Sequence, residues 1–214
     1  MANIQDHLNA LFDAERALRR AENSLLQNEP REISALLSAA VKEAKAHEDK
    51  TESRLRLERL ADLCAQVPGP EMTDALISIL DDAAPGVRVQ AAEALTDVGY
   101  ERYAEVAHGV ERALTGTLHY ALQELPWVLV ELGEPSARKL IVRFLDSKDP
   151  DVVASAIEAL AELGDDASIK ELKTLVDDPR EVDIDGEEGE ETVTVGDLAS
   201  EAIDALGGDQ ARSE

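Results

Sequence analysis

The sequence predicts an all-α fold, a right-handed α-solenoid of about five helical hairpins with an N-terminal capping helix. Three observations predict it. The first is internal self-similarity: VRVQAAEALTDVG (87–99), ALQELPWVLVELG (121–133), VVASAIEALAELG (152–164) and VGDLASEAIDALG (195–207) align on their closing glycines, which stand 34, 31 and 43 residues apart. A unit near 31 residues is too short for a domain and right for a helical hairpin. The second is periodicity: Val87, Ala91, Ala94, Leu95 and Val98 recur at three- and four-residue steps, and Val152, Ala156, Ala159, Leu160 and Leu163 repeat them in register. Such a stripe is one buried helix face. The third is composition: 44% hydrophobic but only 3% aromatic, with small alanines that let stacked helices approach closely.

Residues 1–28 precede the repeats. Ile4, Leu8, Leu11, Phe12, Leu18, Leu25 and Leu26 mark a long amphipathic helix. It is expected to cap the open end of the stack, since terminal repeats need a polar outer face; a partner-docking helix is the alternative. The repeats then run 31–69, 70–99, 100–133, 134–164 and 165–207, followed by a disordered tail at 208–214. In each, a first helix ends in leucine and acids (LISILDD, LIVRFLDS, ELKTLVDD), a Pro or Gly turn follows, and an Ala-rich second helix is closed by glycine acting as a left-handed cap. The last repeat carries an acidic insertion at about 179–194. There Val182 and Ile184 alternate with Asp183 and Asp185, and Thr192–Val195 form a second β-like run, so the insertion reads as a small ribbon or a mobile loop.

This grammar resembles the HEAT-like repeats of the phycobilisome-lyase type. Leu80, Asp81, Asp82, Pro85, Val87, Arg88, Ala91, Ala92, Ala94, Leu95 and Gly99 match nearly all of that family's pattern. The resemblance implies a turn contact between Arg88 and Asp81 or Asp82; elsewhere Leu122 and Val153 stand where Arg88 does. It also brings in bilin lyases and isomerases, which attach tetrapyrroles, but through the repeat alone and through no catalytic residue.

The 46 acidic residues outnumber 21 basic ones, for a formal net charge of −25. That argues against binding nucleic acid, where phosphates must be neutralised, and against an anionic membrane. With 14 Arg, 7 Lys and abundant carboxylates, the coat suits a salt-rich cytoplasm that screens self-repulsion. A single cysteine, Cys64, excludes an internal disulfide framework and reads as a small buried hydrophobe. The four histidines lack the i, i+4 pairing of a zinc site, and phosphate loops and nucleophile elbows are absent. No cofactor is expected. DIDGEEGEE (183–191) offers Asp183, Asp185 and Glu187 as weak metal candidates, an incomplete calcium pattern best read as a solvated acidic loop.

The middle repeat departs from its neighbours. It has Pro126 inside its second helix and Trp127 where the others have Glu93, Glu158 and Glu201. The sole tryptophan thus takes a position that is otherwise acidic and expected to be wet; a kink at Pro126 turning it inward is the competing arrangement. His119 and Tyr120 lie close by, and Leu122 and Val153 are expected to thicken an apolar strip on the same face. The expected function is a non-catalytic cytoplasmic scaffold or adaptor that holds another protein, one with a basic surface being suited, through Trp127, Tyr120, His119, Glu93, Leu122, Val153, Glu158 and Glu201. A bilin-lyase-like activity and a regulatory role in a signalling or motility assembly are the alternatives.

Overall fold

The structure, a computed structural model, describes residues 3–186 and 189–208. After α1 (Ile4–Leu26) come α2 (Pro30–Lys45), α3 (Lys50–Ala65), α4 (Pro70–Leu80), α5 (Pro85–Ala113), α6 (Tyr120–Leu132), α7 (Ala137–Ile141), α8 (Pro150–Glu162), α9 (Ile169–Leu172) and α10 (Val195–Gly208). Short 3-10 turns extend α7 and precede α9. Prolines at the first turns of α2, α4, α5 and α8 start those helices, where a missing N–H costs nothing.

The helices stack in chain order, as in a HEAT-like solenoid. α3, α5, α6, α8 and α10 form an unbroken succession, each touching the next, while α2 packs on α3 and α4, and α4 on α5. One apolar cluster runs from Ile33 to Leu206. The predicted stripes lie in it: Val87, Ala91, Leu95, Val152, Ala156, Ala159 and Leu160 are fully buried. Among the described residues, no helix is long and apolar enough to cross a membrane.

Three expectations meet the structure. Of the ribbon and the mobile loop expected in the insertion of this largely helical fold, the ribbon forms: β1 (Glu181–Gly186) and β2 (Gly189–Thr194) pair antiparallel, with Val182 opposite Val193 and Asp183 opposite Thr192. Val182 is buried, so the ribbon is anchored by one apolar edge. Second, the closing glycines are not all left-handed caps. Gly133 and Gly164 are, with φ of 61° and 65°. Gly99, however, lies inside α5, where a Cβ would fall 2.5 Å from a Leu132 methyl; it permits close helix approach, and the chain bends three residues later at Arg102 (φ −139°, ψ 51°).

Third, α1 does not cap the stack. None of its residues is buried. It touches the body at its last turn, where Leu25 and Leu26 meet the core and Glu22 pairs with Arg59. α2 turns Ile33, Leu37, Val41 and Ala44 inward, and its outer face mixes charged Arg31, Glu32, Lys42 and Glu43 with exposed Ala35, Leu36 and Ala39. The expected tail at 208–214 lies outside the described residues except for Gly208.

Candidate functional site

The surface around Trp127 is built by α5, α6, α8 and the ribbon. On α6, Tyr120, Glu124 and Trp127 follow at four and three residues and so share one face. Pro126 is buried, whereas Trp127 remains 39% exposed. The proline therefore does not turn the indole inward.

Trp127 is the wall between two grooves. One, of about 690 Å³, lies between α6, α8 and β1, and its acids are Glu124, Asp151, Glu158 and Asp183. The other, of about 550 Å³, lies between α5 and α6 and includes Val89, Glu93, Asp97, Tyr100 and Glu131. Each groove thus joins an aromatic face to several carboxylates and contains no lysine or arginine among its lining residues. Glu158 is raised above the ordinary carboxylate pKa, first by desolvation in the crowded groove and then by repulsion from Glu201. The Tyr100 hydroxyl donates to the Glu131 carboxylate at 3.1 Å, and this bond is the main reason its pKa is raised.

Below the grooves the turns are fastened by charged hydrogen bonds. Arg88 donates to the backbone carbonyls of Asp82 and Ala83 at 3.2 and 3.1 Å, pairs with Glu124 at 2.8 Å, and lies over the Tyr120 ring at 4.9 Å. The expected turn contact is thus made with Asp82 through its backbone carbonyl, joined by the Ala83 carbonyl and a carboxylate one repeat further on. Asp82 instead accepts from the Ala84 amide at 2.9 Å. Asp81 reaches across to accept from the amides of His119 and Ala121 at 2.8 and 3.1 Å, closing the start of α6.

The remaining candidates separate. Glu93 and Glu158 flank Trp127 on opposite sides, and Glu201 lies beside Glu158. His119 turns to Asp149, 3.1 Å away. Val153 is fully buried and is core, not surface. Leu122 is half-buried in a different cleft with Leu114, Arg143 and Val152. Both correct the expected apolar strip. The physical reason is visible in Arg88 itself, whose side chain is only 19% exposed: that helical register is inward-leaning, so an aliphatic replacement completes the core. Sequence reasoning left out Glu124, Asp151 and Asp97; the three-residue step from Glu124 to Trp127 was the available signal.

Among the described residues no group of His, Cys, Asp or Glu is placed to hold a metal ion. Asp183 accepts a 2.7 Å hydrogen bond from Thr192 across the ribbon, an ordinary strand-pair contact. The side chain of Asp185 and all of Glu187 lie outside the described residues.

HEAT repeats are recognised over residues 112–185, from the end of α5 into the ribbon. This supports helical-repeat character there, and it is to HEAT repeats in general; a specific link to phycobilisome lyases is not shown. The crystal structure of an engineered protein is similar at 16% identity over 90% of this chain and 97% of that one, with a TM-score of 0.39. No curated protein matches.

Proposed function

We propose that the chain is a non-catalytic binding module that holds a basic segment of a partner protein in the grooves beside Trp127. The observation that carries this reading is the exposed indole between two acid-lined grooves. A lysine or arginine of the partner lies over the indole face, where the ring quadrupole attracts a cation. Asp151, Glu158 and Asp183 on one side and Glu93 and Asp97 on the other neutralise its neighbours. The net charge of −25 speeds encounter with a basic partner and repels acidic ones. The fold contributes rigid positioning: the Arg88–Glu124 pair and the buried Ser155 hydroxyl, which donates to the Gln123 carbonyl at 2.5 Å, tie α5 and α8 to α6 under the groove floor. The chromophore-attachment reading rests on sequence resemblance alone.

The test is fluorescence of Trp127, the sole reporter of its kind, during titration with an arginine-rich peptide and with its glutamate counterpart. The reading expects a saturable change with the first only, lost in Glu158→Gln combined with Asp151→Asn. Crosslinking capture from the source cells, comparing wild type with Trp127→Ala, then identifies the natural partner. A folded Trp127→Ala protein that keeps every captured partner defeats the proposal.

A further inference from the structure

The two grooves beside Trp127 differ in what lines them. Between α6 and α8 the lining is largely polar, with Gln123, Asp151 and Ser155. Between α5 and α6, Val89, Ala92 and Val128 join the rings of Tyr100 and Trp127. Val89 is 57% and Tyr100 61% exposed, so with Trp127 three large side chains that the core leaves uncovered share this groove. The groove follows its helices. On α5 its lining runs from Val89 to Tyr100 in steps of three and one, a single helix face about 16 Å long. The walls run side by side in the same direction: Arg88 meets Glu124 at their starts, at 2.8 Å, and the Tyr100 hydroxyl meets Glu131 in the last turn of α6, at 3.1 Å.

Acids border this apolar strip. Among the described residues Glu93 and Asp97 form no ion pair, and Glu131 has the neutral Tyr100 hydroxyl as its partner. Across the indole stand Asp151, Glu158 and Asp183. A wholly apolar occupant would strip water from these carboxylates and give nothing back. An occupant that is only basic would leave Val89, Ala92 and Val128 wet. Both demands are met by a helix with an apolar stripe bordered by lysine or arginine.

We propose that the α5–α6 groove takes an amphipathic basic helix of a partner protein. Its apolar stripe lies on Val89, Ala92, Tyr100 and Val128, and its cations face Glu93 and Asp97 on one side and reach over the indole on the other. The inference rests on the cation-binding reading of the Trp127 grooves and adds the form of the segment. Apolar side chains at i, i+4 and i+7, the spacing of helix-in-groove recognition, span about 10 Å and fit within the strip. Carboxylates then steer and orient the partner, while apolar burial supplies affinity that salt does not screen.

Tryptophan emission and calorimetry with synthetic helical peptides of about 15 residues test this. The first peptide carries a leucine stripe bordered by lysine and arginine. Its isomer has the same composition with the leucines spread round the helix, and a third peptide has alanine for leucine. The first is expected to bind at least about tenfold tighter than either control, with a more negative heat capacity of binding, and to keep part of its affinity at about 1 M salt. Val89→Glu, at an exposed position, should remove that preference while binding of the alanine peptide holds or tightens; Tyr100→Ala should lower the preference as well. Equal affinity of the three peptides overturns the amphipathic-helix inference and leaves the cation reading standing, whereas no binding by any of them overturns both. A preference unchanged in both variants overturns the assignment to this groove. Self-association of the wild-type chain in sedimentation equilibrium that Val89→Glu abolishes would put a second copy there and overturn a foreign partner.

Discussion

Replacing Gly196 by alanine probes how the ribbon is fastened beside the Trp127 groove. A Cβ at this position would fall 2.6 Å from the Val176 carbonyl oxygen and 3.1 Å from that of Asp178. Both neighbours are backbone, and the local chain has little room to yield. The Gly196 amide donates to Asp178 O at 3.0 Å and the Val195 amide to Arg180 O at 2.8 Å, while Arg180 in turn donates to Ser147 O at 2.9 Å. Overpacking of this kind costs about 1–3 kcal/mol. The helix-propensity gain from Gly to Ala, up to about 1 kcal/mol in a helix interior, is small at the first turn of α10. The expected net loss is about 2 kcal/mol, which for a chain of this size lowers Tm by about 4–8 °C. Gly207→Ala is the internal control on the same helix: no atom lies within 4 Å of its Cβ and its φ is not positive. It is expected to leave Tm unchanged or raise it slightly. Thermal unfolding by circular dichroism gives both shifts. Because Val182 and Ile184 line the groove with Trp127, Gly196→Ala should also red-shift the tryptophan emission before the main transition. A Gly196→Ala protein as stable as wild type would refute the close-approach argument.

Glu158→Gln is expected to stabilise the fold at neutral pH. The folded-state pKa of Glu158 is raised above its reference of 4.5, so the charged form is disfavoured by folding. That penalty is absent below the reference value and develops as pH rises through the folded pKa; the Tm advantage of the variant over wild type therefore closes as pH falls through the carboxylate range. Arg88→Lys should destabilise by about 1–2 kcal/mol, nearly as much as Arg88→Ala. A lysine cannot serve two carbonyls, Glu124 and the Tyr120 ring at once, and urea unfolding of the two variants checks this. Burial pushes the Cys64 thiol up to about 12, so a thiol reagent at about pH 8 should label it only as fast as the first repeat opens; stoichiometric labelling of the native chain within seconds would contradict the burial.

The buried stripes were legible because periodicity near 3.6 reports a helix face directly: Val87, Ala91, Ala94, Leu95 and Val98 are all buried. Trp127 was legible by alignment, since three equivalent positions carry glutamate. What escaped was non-local. Asp81 belongs by sequence to one turn, yet its carboxylate closes α6 nearly forty residues later. Val153 was read as surface although it aligns with Arg88, but a long arginine can leave an inward-leaning position and still find hydrogen bonds, and a valine there simply fills space. For α1 the amphipathic pattern was correct as to helix; that its apolar side chains from Ile4 to Leu18 stay exposed depends on its contacts with the body, which no pattern within α1 encodes.

Salt tests the charge logic of the Trp127 grooves. The grooves attract through carboxylates, so their affinity for an arginine-rich peptide should fall steadily as the Debye length shortens from about 8 Å to about 3 Å between 0.15 and 1 M salt. Peptide titration by tryptophan emission across that range gives the curve. If peptide affinity does not respond to salt, the carboxylates around Trp127 are not what holds the cation.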